Sequence, residues 1–434
     1  MGKDELLNLL KIDKRIVKDV YDKIEGNVQY VYLTLIQDLS LIKENCGGNS
    51  IICWGWKTRI LKDKVLTNYK TYIYVKYPRF KILDKGKIVS YIDLITEPKT
   101  NISYNLVQKV LMLLKKVNAT YTQVAELTNL SPQEVENIFD KYVNCPRGKL
   151  PKFLCLDECH NKNQFGEDKY SAILSDFVSH NVVDVVKNRQ LKTMTEYFSQ
   201  IPLKERLNVE FVNMDMWKPY KQITHSFLPN AIIVIDSFHV IQTIKKCIKD
   251  LEMKIYYNYD ERSKERKLLK KYFNQIIDYK ISHQKISFEI NKGIRLTTHE
   301  IKNEIMQLNK KLADAIKLLD SYKYLNAKCN YKEFDKWFKK LIEENPIYFD
   351  ECFYDVRTMF SDWYEEIKNS FQVIELKIGK KRLSNGLAES LNNIYKKLMR
   401  VSNGVKNFER FRKRLMFCIN KNMDYYQPNH GKLL

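Results

Sequence analysis

The chain has 434 residues, 44% of them hydrophobic and 29% charged, with 74 Lys and Arg against 52 Asp and Glu for a net charge of +22. These are globular proportions that exclude wholesale disorder, and the length predicts two or three domains with room for a sizeable core. No apolar run approaches the roughly 18 residues of a membrane span. The opening MGKDELLNLL lacks the basic and then apolar stretches of a signal peptide, and nine Cys without paired spacing do not make a secreted disulfide framework; the expectation is a cytoplasmic chain with no membrane partner.

In chain order, residues 5–43 read as helix, followed by a break at Cys46-Gly47-Gly48. Residues 50–95 alternate like strands, as in Tyr72-Ile73-Tyr74-Val75, with breakers at Pro78 and Gly86. Residues 1–100 are therefore taken as a small basic N-terminal module. Its stretch from Lys57 to Lys87 carries ten Lys or Arg against Asp63 and Asp84, interleaved with Tyr69, Tyr72, Tyr74, Tyr77 and Phe80. A second basic stretch, Lys377 to Lys421, carries thirteen against Glu389 and Glu409. Clustered cations beside stacking rings suit a polyanion, because neutralising phosphates releases condensed counterions. The competing reading is a solvated face on a Lys-rich chain; nucleic acid is the favoured partner.

Residues 101–149 follow as a helical segment. Residues 104–117 have helical period, and residues 122–128 make a short helix that turns at Asn129-Leu130. The next helix opens with Ser131 as its cap, Pro132 in its first position and Glu134 three residues after the cap. The pair fits a helix-turn-helix whose second helix would present Gln133, Glu134 and Asn137 to a major groove. An ordinary αα-hairpin has the same spacing.

After Cys145-Pro146-Arg147-Gly148 the pattern changes. Strands are expected over 153–159, 170–177 and 182–187, a helix over 191–199, a strand over 209–214 ending at Asp215, a helix over 219–227, a strand over 231–235, and a helix from about Phe238. Three strands too close for crossover helices, then strand–helix–strand–helix, describe an α/β layer on a mixed sheet. From 243 to 371 the chain is Lys/Glu-rich, nearly free of Gly and Pro, and helical in period. A short return over 371–378 and a helix from Asn385 close it.

Walker loops, GxGxxG, HExxH, CxxC and GxSxG are absent, so nucleotide-driven, zincin and α/β-hydrolase chemistries lose their usual support. What stands out is acids at strand ends: Asp157 in LCLDE on the first strand of the layer and Asp215 in VNMDMWKPY. Carboxylates on neighbouring strands, with a third from a packed helix, suit divalent cations and phosphodiester chemistry. Glu158 should face the other side of its strand from Asp157 and is not counted as a ligand. Cys155, Cys159 and His160 are better explained by strand packing than by metal binding.

The blocks LCLDE, VEFVNMDMWKPY, LPNAIIVIDSFHVIQ and LSNGLAESLNNIYKKLMRVSNGVKNFERFRKRL resemble the catalytic domain of insertion-sequence DDE transposases of the ISL-three type. The resemblance covers roughly 150–245 and 370–420. It implies an α/β, ribonuclease-H-like mixed-sheet catalytic domain in two parts, 150–245 and 371–434, separated by an α-helical insertion over 246–370. It implies that Asp157, Asp215 and Glu389 are the catalytic acids and metal ligands, with Mg²⁺, or Mn²⁺ in its place, as cofactor. It further implies binding to the element's inverted terminal repeats, strand cleavage and transfer into double-stranded target DNA, a homo-oligomeric synaptic complex, and a nucleoid-associated location.

Other residues take expected roles around that triad. Asp236 and His239, in DSFH, would orient the site or touch DNA, with a helix cap or buried polar network as the competing reading. Ser384-Asn385 would cap the helix of Glu389. Asn392 and Lys396 share its face and would reach the neighbours of the scissile phosphate. Arg382, Lys397, Arg400, Lys406, Arg410, Arg412 and Arg414 are expected as DNA contacts, to the backbone rather than to bases. The family commonly carries a Cys-based zinc finger near the N-terminus, but only Cys46 and Cys53 are present here and a structural site needs four ligands, so zinc is not expected. A domesticated DNA-binding protein without transposition activity and a ribonuclease-H-like DNA nuclease are the competing functions.

Overall fold

The computed structural model describes residues 2–40, 42–43, 50–66, 69–161, 165, 169–277, 287–291, 294–376, 379–383, 386–402 and 406–421. The break at Cys46-Gly47-Gly48 and the cap at Ser384-Asn385 lie outside them. Two compact units divide the chain. The first holds Met1–Arg147, Asn161–Glu167 and Asn393–Leu434; the second holds Gly148–His160 and Asp168–Asn392.

The first unit opens with helix α1 (Lys3–Leu10) and then, against expectation, with strands β1 (Val17–Glu25) and β2 (Val28–Leu35). Among the described residues the helix read over 5–43 is confined to α1, a single 3-10 turn at Lys14–Ile16 and residues 40, 42 and 43, with strands between. The reason lies in VQYVYLTL, whose period of two buries every second side chain, and in Gly26, whose positive φ makes a tight connection. Strands β3 (Ile51–Leu66), β4 (Tyr69–Ile82) and β5 (Lys87–Val89) complete a sheet in the order β1-β2-β4-β3, with β5 on β4. Strand β2 pairs with β4 in parallel and the other pairs are antiparallel. Val31, Leu33, Leu61, Ile73 and Val75 are buried on one face. The other carries a row of rings, with Tyr21 on Tyr32 at 4.9 Å and Tyr32 on Tyr74 at 5.2 Å between centroids.

Helices α2 (Tyr104–Leu114), α3 (Tyr121–Thr128) and α4 (Pro132–Tyr142) follow. Both α3 and α4 begin with reciprocal capping boxes, Thr120 with Gln123 and Ser131 with Glu134, and Asn129 turns the chain between them in the left-handed region. Val124, Ala125, Val135, Ile138 and Phe139 are the buried face of this pair.

The second unit is built on a five-stranded sheet ordered β10-β9-β6-β7-β8: β6 (Phe153–His160), β7 (Tyr170–Asp176), β8 (Val182–Val186), β9 (Phe211–Met214) and β10 (Ile232–Ile235). Strands β6, β7 and β8 run antiparallel in sequence, whereas β9 and β10 are parallel to β6. This is the mixed sheet the spacing requires. Helices α5 (Leu191–Ser199), α6 (Leu203–Arg206) and α7 (Lys218–Phe227) connect them. Leu154, Leu156, Val212, Met214, Ile233 and Ile235 join the main core on one side of the sheet. Cys155 and Val234 pack on the other side with Phe177, Ile374 and Leu383.

The chain continues through α8 (Ser237–Tyr257) and α9 (Lys264–Ile277). A hairpin of β11 (Ser287–Asn291) and β12 (Ile294–Thr297) then interrupts the stretch read as purely helical. Helices α10 (Thr298–Leu308), α11 (Lys310–Lys328), α12 (Phe334–Glu344) and α13 (Tyr354–Asn369) complete that stretch. Hairpin β13 (Val373–Leu376) and β14 (Gly379–Arg382) leads to α14 (Gly386–Val401), and α15 (Phe408–Ile419) is the last described helix. Leu391, Tyr395, Leu398 and Met399 are buried at helical spacing along α14, while Lys396, Lys397 and Arg400 are exposed.

Candidate active site

The register of three parallel strands decides the layout. Leu156 of β6 pairs with Met214 of β9, and Met214 with Ile235 of β10. Asp157, Asp215 and Asp236 are each the next residue, so three aspartates stand at the same level on three neighbouring strands. This is where a sheet with parallel strands presents functional groups, because the chain diverges there and leaves room for a ligand.

Asp157 is 6% exposed. One carboxylate oxygen accepts the Glu158 N–H at 2.7 Å, and the other accepts the Asn392 amide at 2.9 Å. The Asn392 carbonyl in turn accepts the Cys159 thiol. Asn392, a single turn beyond Glu389 on α14, is thus one side chain of that helix that meets Asp157. Glu389 lies on α14, but its side chain is outside the described residues. Among the described residues no three His, Cys, Asp or Glu are gathered to hold a metal ion.

Asp215 accepts from Nε2 of His239 at 2.6 Å, each side chain about a quarter exposed. Burial alone would lower the His239 pKa, but the hydrogen bond and charge of Asp215, with help from Asp236 and Asp157, raise it above the ordinary histidine value. Asp236 is buried and caps α8, accepting the Phe238 N–H at 2.9 Å. The helix-cap reading thus describes a bond Asp236 makes, and His239 is the residue of the pair that touches an expected catalytic acid.

An open cleft of about 390 Å³ lies beside these groups, lined among others by Glu158, Arg189, Asp215, Trp217, His239 and Lys246. Glu158 faces this cleft, where it pairs with Arg189. The Arg189 guanidinium lies over the rings of Tyr170 at 4.2 Å and Trp217 at 4.5 Å. Neither Arg189 nor Trp217 was singled out from the sequence, although Trp217 stands two residues after Asp215. Cys155 and Cys159 are buried, with burial pushing the Cys155 thiol up to about 12, while His160 is exposed and turns edge-on to Tyr170. The three do not form a ligand cluster.

The expected DNA contacts divide sharply. Gln133 and Asn137 are exposed on α4 and bonded to each other at 3.0 Å. Lys396, Lys397, Arg400 and Lys406 are exposed. Glu134 closes the capping box with its carboxylate and pairs with Lys62 at 2.9 Å. Arg382 donates to the Ser370 and Asn326 carbonyls and lies over Phe371. Arg410 is held by Glu136 and Asp140, and Arg412 by Glu409 and the Cys145 carbonyl. Arg414 is buried against the carbonyls of Lys116 and Ala119 rather than solvent-facing.

Residues 154–415 match the model of a transposase family, the DDE transposases of the ISL-three type. No curated protein matches the chain. The matched span contains Asp157, Asp215, Glu389 and every strand that aligns the aspartates, and exceeds half of the sequence. The chain belongs to the ISL-three family of DDE transposases, and so to enzymes that cleave DNA.

Proposed function

We propose that this protein binds the inverted terminal repeats of an insertion sequence and cuts and joins DNA by metal-dependent phosphodiester chemistry on a ribonuclease-H-like sheet. The observation that carries the reading is the alignment of Asp157 and Asp215 on adjacent parallel strands, with Asn392 tying the helix of Glu389 to Asp157. Hard carboxylate oxygens are the donors that Mg²⁺ and Mn²⁺ take, and both described acids supply them. Asp157, Asp215 and Glu389 are the residues that would hold the cations. When bound, such ions activate the attacking oxygen and stabilise the leaving one.

The surrounding residues have their own tasks. Asn392 fixes the Asp157 carboxylate, as a hydrogen-bonded outer partner does for a ligating group. His239 does the same for Asp215. Arg189, stacked over two rings and paired with Glu158, stands at the rim where a phosphodiester would enter. The α3–α4 pair serves as a helix-turn-helix, with Gln133 and Asn137 at the groove. The exposed Lys396, Lys397, Arg400 and Lys406 neutralise backbone phosphates. Two element ends must be brought together, so the working form is a homo-oligomer.

The test is a cleavage assay on labelled DNA carrying the gene's own flanking sequence, with Mg²⁺ or Mn²⁺. Metal-dependent nicking at the repeat boundary is expected. Asp157→Asn, Asp215→Asn and Glu389→Gln should each abolish it while leaving DNA binding intact. Full activity in any one variant removes that residue from the set, and tight binding without cleavage by the parent protein replaces the reading with a DNA-binding protein that has lost transposition.

A further inference from the structure

The long helical stretch that follows β10 distributes its charge unevenly. Residues 245–271, most of α8 and the first half of α9, hold ten Lys or Arg against five Asp or Glu, whereas residues 272–370 hold sixteen of each. A solvated face on a Lys-rich chain would spread its excess along all the helices; here the excess sits on two of them. Part of it is balanced, since Lys264 meets Glu304 at 3.6 Å and Arg266 meets Glu261 at 3.7 Å. Lys249, Lys267, Lys270 and Lys271 are exposed and, among the described residues, in no ion pair.

Helix α8 connects this charge to the catalytic cleft. It starts at the acids: His239 bonds Asp215, and His239, Gln242, Thr243 and Lys246 line the cleft. From there Gln242, Lys246, Lys249, Met253 and Tyr257 recur at intervals of three and four residues and are all exposed, so they form one stripe along the outer face of the helix. Ile244, Ile248, Leu251 and Ile255 are buried on the opposite face. Asp355 takes up part of the Lys246 charge, at 3.3 Å across an exposed edge. At the far end of the stripe a depression of about 330 Å³ is lined by Tyr256, Glu261, Arg266, Lys267 and Lys270. Its one acid, Glu261, is set against Arg266, which also lies over Tyr256 at 4.6 Å, so the two lysines remain unbalanced. From His239 to Tyr257 the helix rises about 27 Å. Along one strand of B-form DNA, with a phosphate roughly every 3.4 Å, that distance is about eight nucleotides.

We propose that α8 and the start of α9 form a track for duplex DNA. The duplex leaves the catalytic cleft along Lys246 and Lys249, and Lys267 and Lys270 hold its phosphates about eight base pairs from the one being cut. The inference rests on the transposase reading above, which places the scissile phosphate beside Asp215, and the occupant is the same duplex that enters the cleft. Flexible ammonium groups neutralise the backbone and carry no base information, so the track orients the substrate without reading its sequence.

The experiment uses the full chain. The triple variant Lys249→Gln, Lys267→Gln, Lys270→Gln is compared with Lys336→Gln, Lys339→Gln, Lys340→Gln, a charge-matched control on α12. All six side chains are exposed, so both variants should melt with the parent. Affinity is measured over a salt series for a duplex that reaches well beyond the track on both sides of the cleavage position. The slope of log affinity against log salt should fall by about 2.7 in the α8–α9 variant relative to the control, at about 0.9 for each lost phosphate contact. Phosphates are then replaced one at a time by neutral methylphosphonates. A replacement about eight base pairs from the cleavage position should weaken binding by the parent and the control severalfold and leave the α8–α9 variant unchanged. A lowered slope with the sensitive phosphates elsewhere overturns the track. Equal slopes in the two variants, in a parent that binds and cuts DNA, overturn the proposal and leave the transposase reading standing; loss of self-association by the α8–α9 variant would then give this face to a second copy of the chain. A parent that binds duplex without cutting it removes the transposase reading, while the slopes still decide whether these lysines hold DNA. A parent that binds no duplex overturns both.

Discussion

Asn392 shows how much one side chain decides at this site. Its amide donates to Asp157 and its carbonyl accepts from Cys159, so it fixes a carboxylate whose other oxygen is already held by the backbone. Outer partners of this kind typically alter metal affinity or activity 10–100-fold when removed. Asn392→Ala is therefore expected to lower cleavage by about that factor and raise the Mg²⁺ concentration needed, while duplex affinity stays unchanged; unchanged Mg²⁺ dependence would show that the amide only packs. Asp63 makes a different point. It is fully buried on β3, and desolvation raises its carboxyl to about 6 despite bonds from Lys64, Ser103 and Asn105. A raised carboxylate pKa stabilises the fold below the unfolded value near 3.9, and that stability is lost as pH climbs to about 6. Asp63→Asn should therefore be more stable than the parent at pH 7, by up to about 3 kcal/mol, with the gain vanishing near pH 4 in urea unfolding.

At the scale of elements, α4 illustrates how local chemistry sets a boundary. Ser131 and Glu134 satisfy each other's backbone donors and Pro132 occupies the first position, so the helix has a defined start before any tertiary contact forms. Removing the cap hydroxyl in Ser131→Ala should cost about 1 kcal/mol. Hydrogen exchange over α4 should speed up roughly fivefold if the helix opens locally. No change in exchange would mean that packing through Val135 and Phe139 governs the opening. Strand β6 shows the opposite dependence. Its pleat places Cys155, Asp157 and Cys159 on one face and Leu156 on the other, but only the register with β9 brings Asp157 level with Asp215.

At the scale of the whole molecule, the charge excess is +22. Part of it is balanced internally, as where Lys62 meets Glu134 and Arg410 meets Asp140. The exposed lysines and Arg400 on α14 are among those available to a polyanion, as are Lys57, Lys70 and Lys76 of the N-terminal sheet. The N-terminal module is a sheet with its core on one face and tyrosines on the other, and hydrophobic burial of Val31, Ile73 and Val75 holds it. A structural zinc site needs four ligands and the sequence offers only Cys46 and Cys53 near this end, so elemental analysis of the purified chain should find no stoichiometric zinc. One tightly held ion per chain would show that Cys53, which is exposed, and Cys46, outside the described residues, belong to a metal site after all.

The sequence by itself determined the elements whose periodicity is strong and whose partners are near. The strands around Asp157, Asp215 and Asp236, the capped helix pair and the mixed sheet were all legible, because period-two burial, cap residues and connection lengths act locally. The resemblance of the sequence blocks supplied the acids proposed as catalytic, Asp157, Asp215 and Glu389. Sheet β1–β2 was misread because a Val/Tyr-rich alternation next to a true helix does not announce its partner; parallel pairing of β2 with β4 is a distant contact. The fates of Arg382, Arg410, Arg412 and Arg414 were likewise decided only by tertiary structure. Arg410 and Asp140 lie 270 residues apart, so the pairing of that charge is not written in the local sequence. Electrostatic neutralisation depends on distance in space, and the chain reveals that distance only once it has folded.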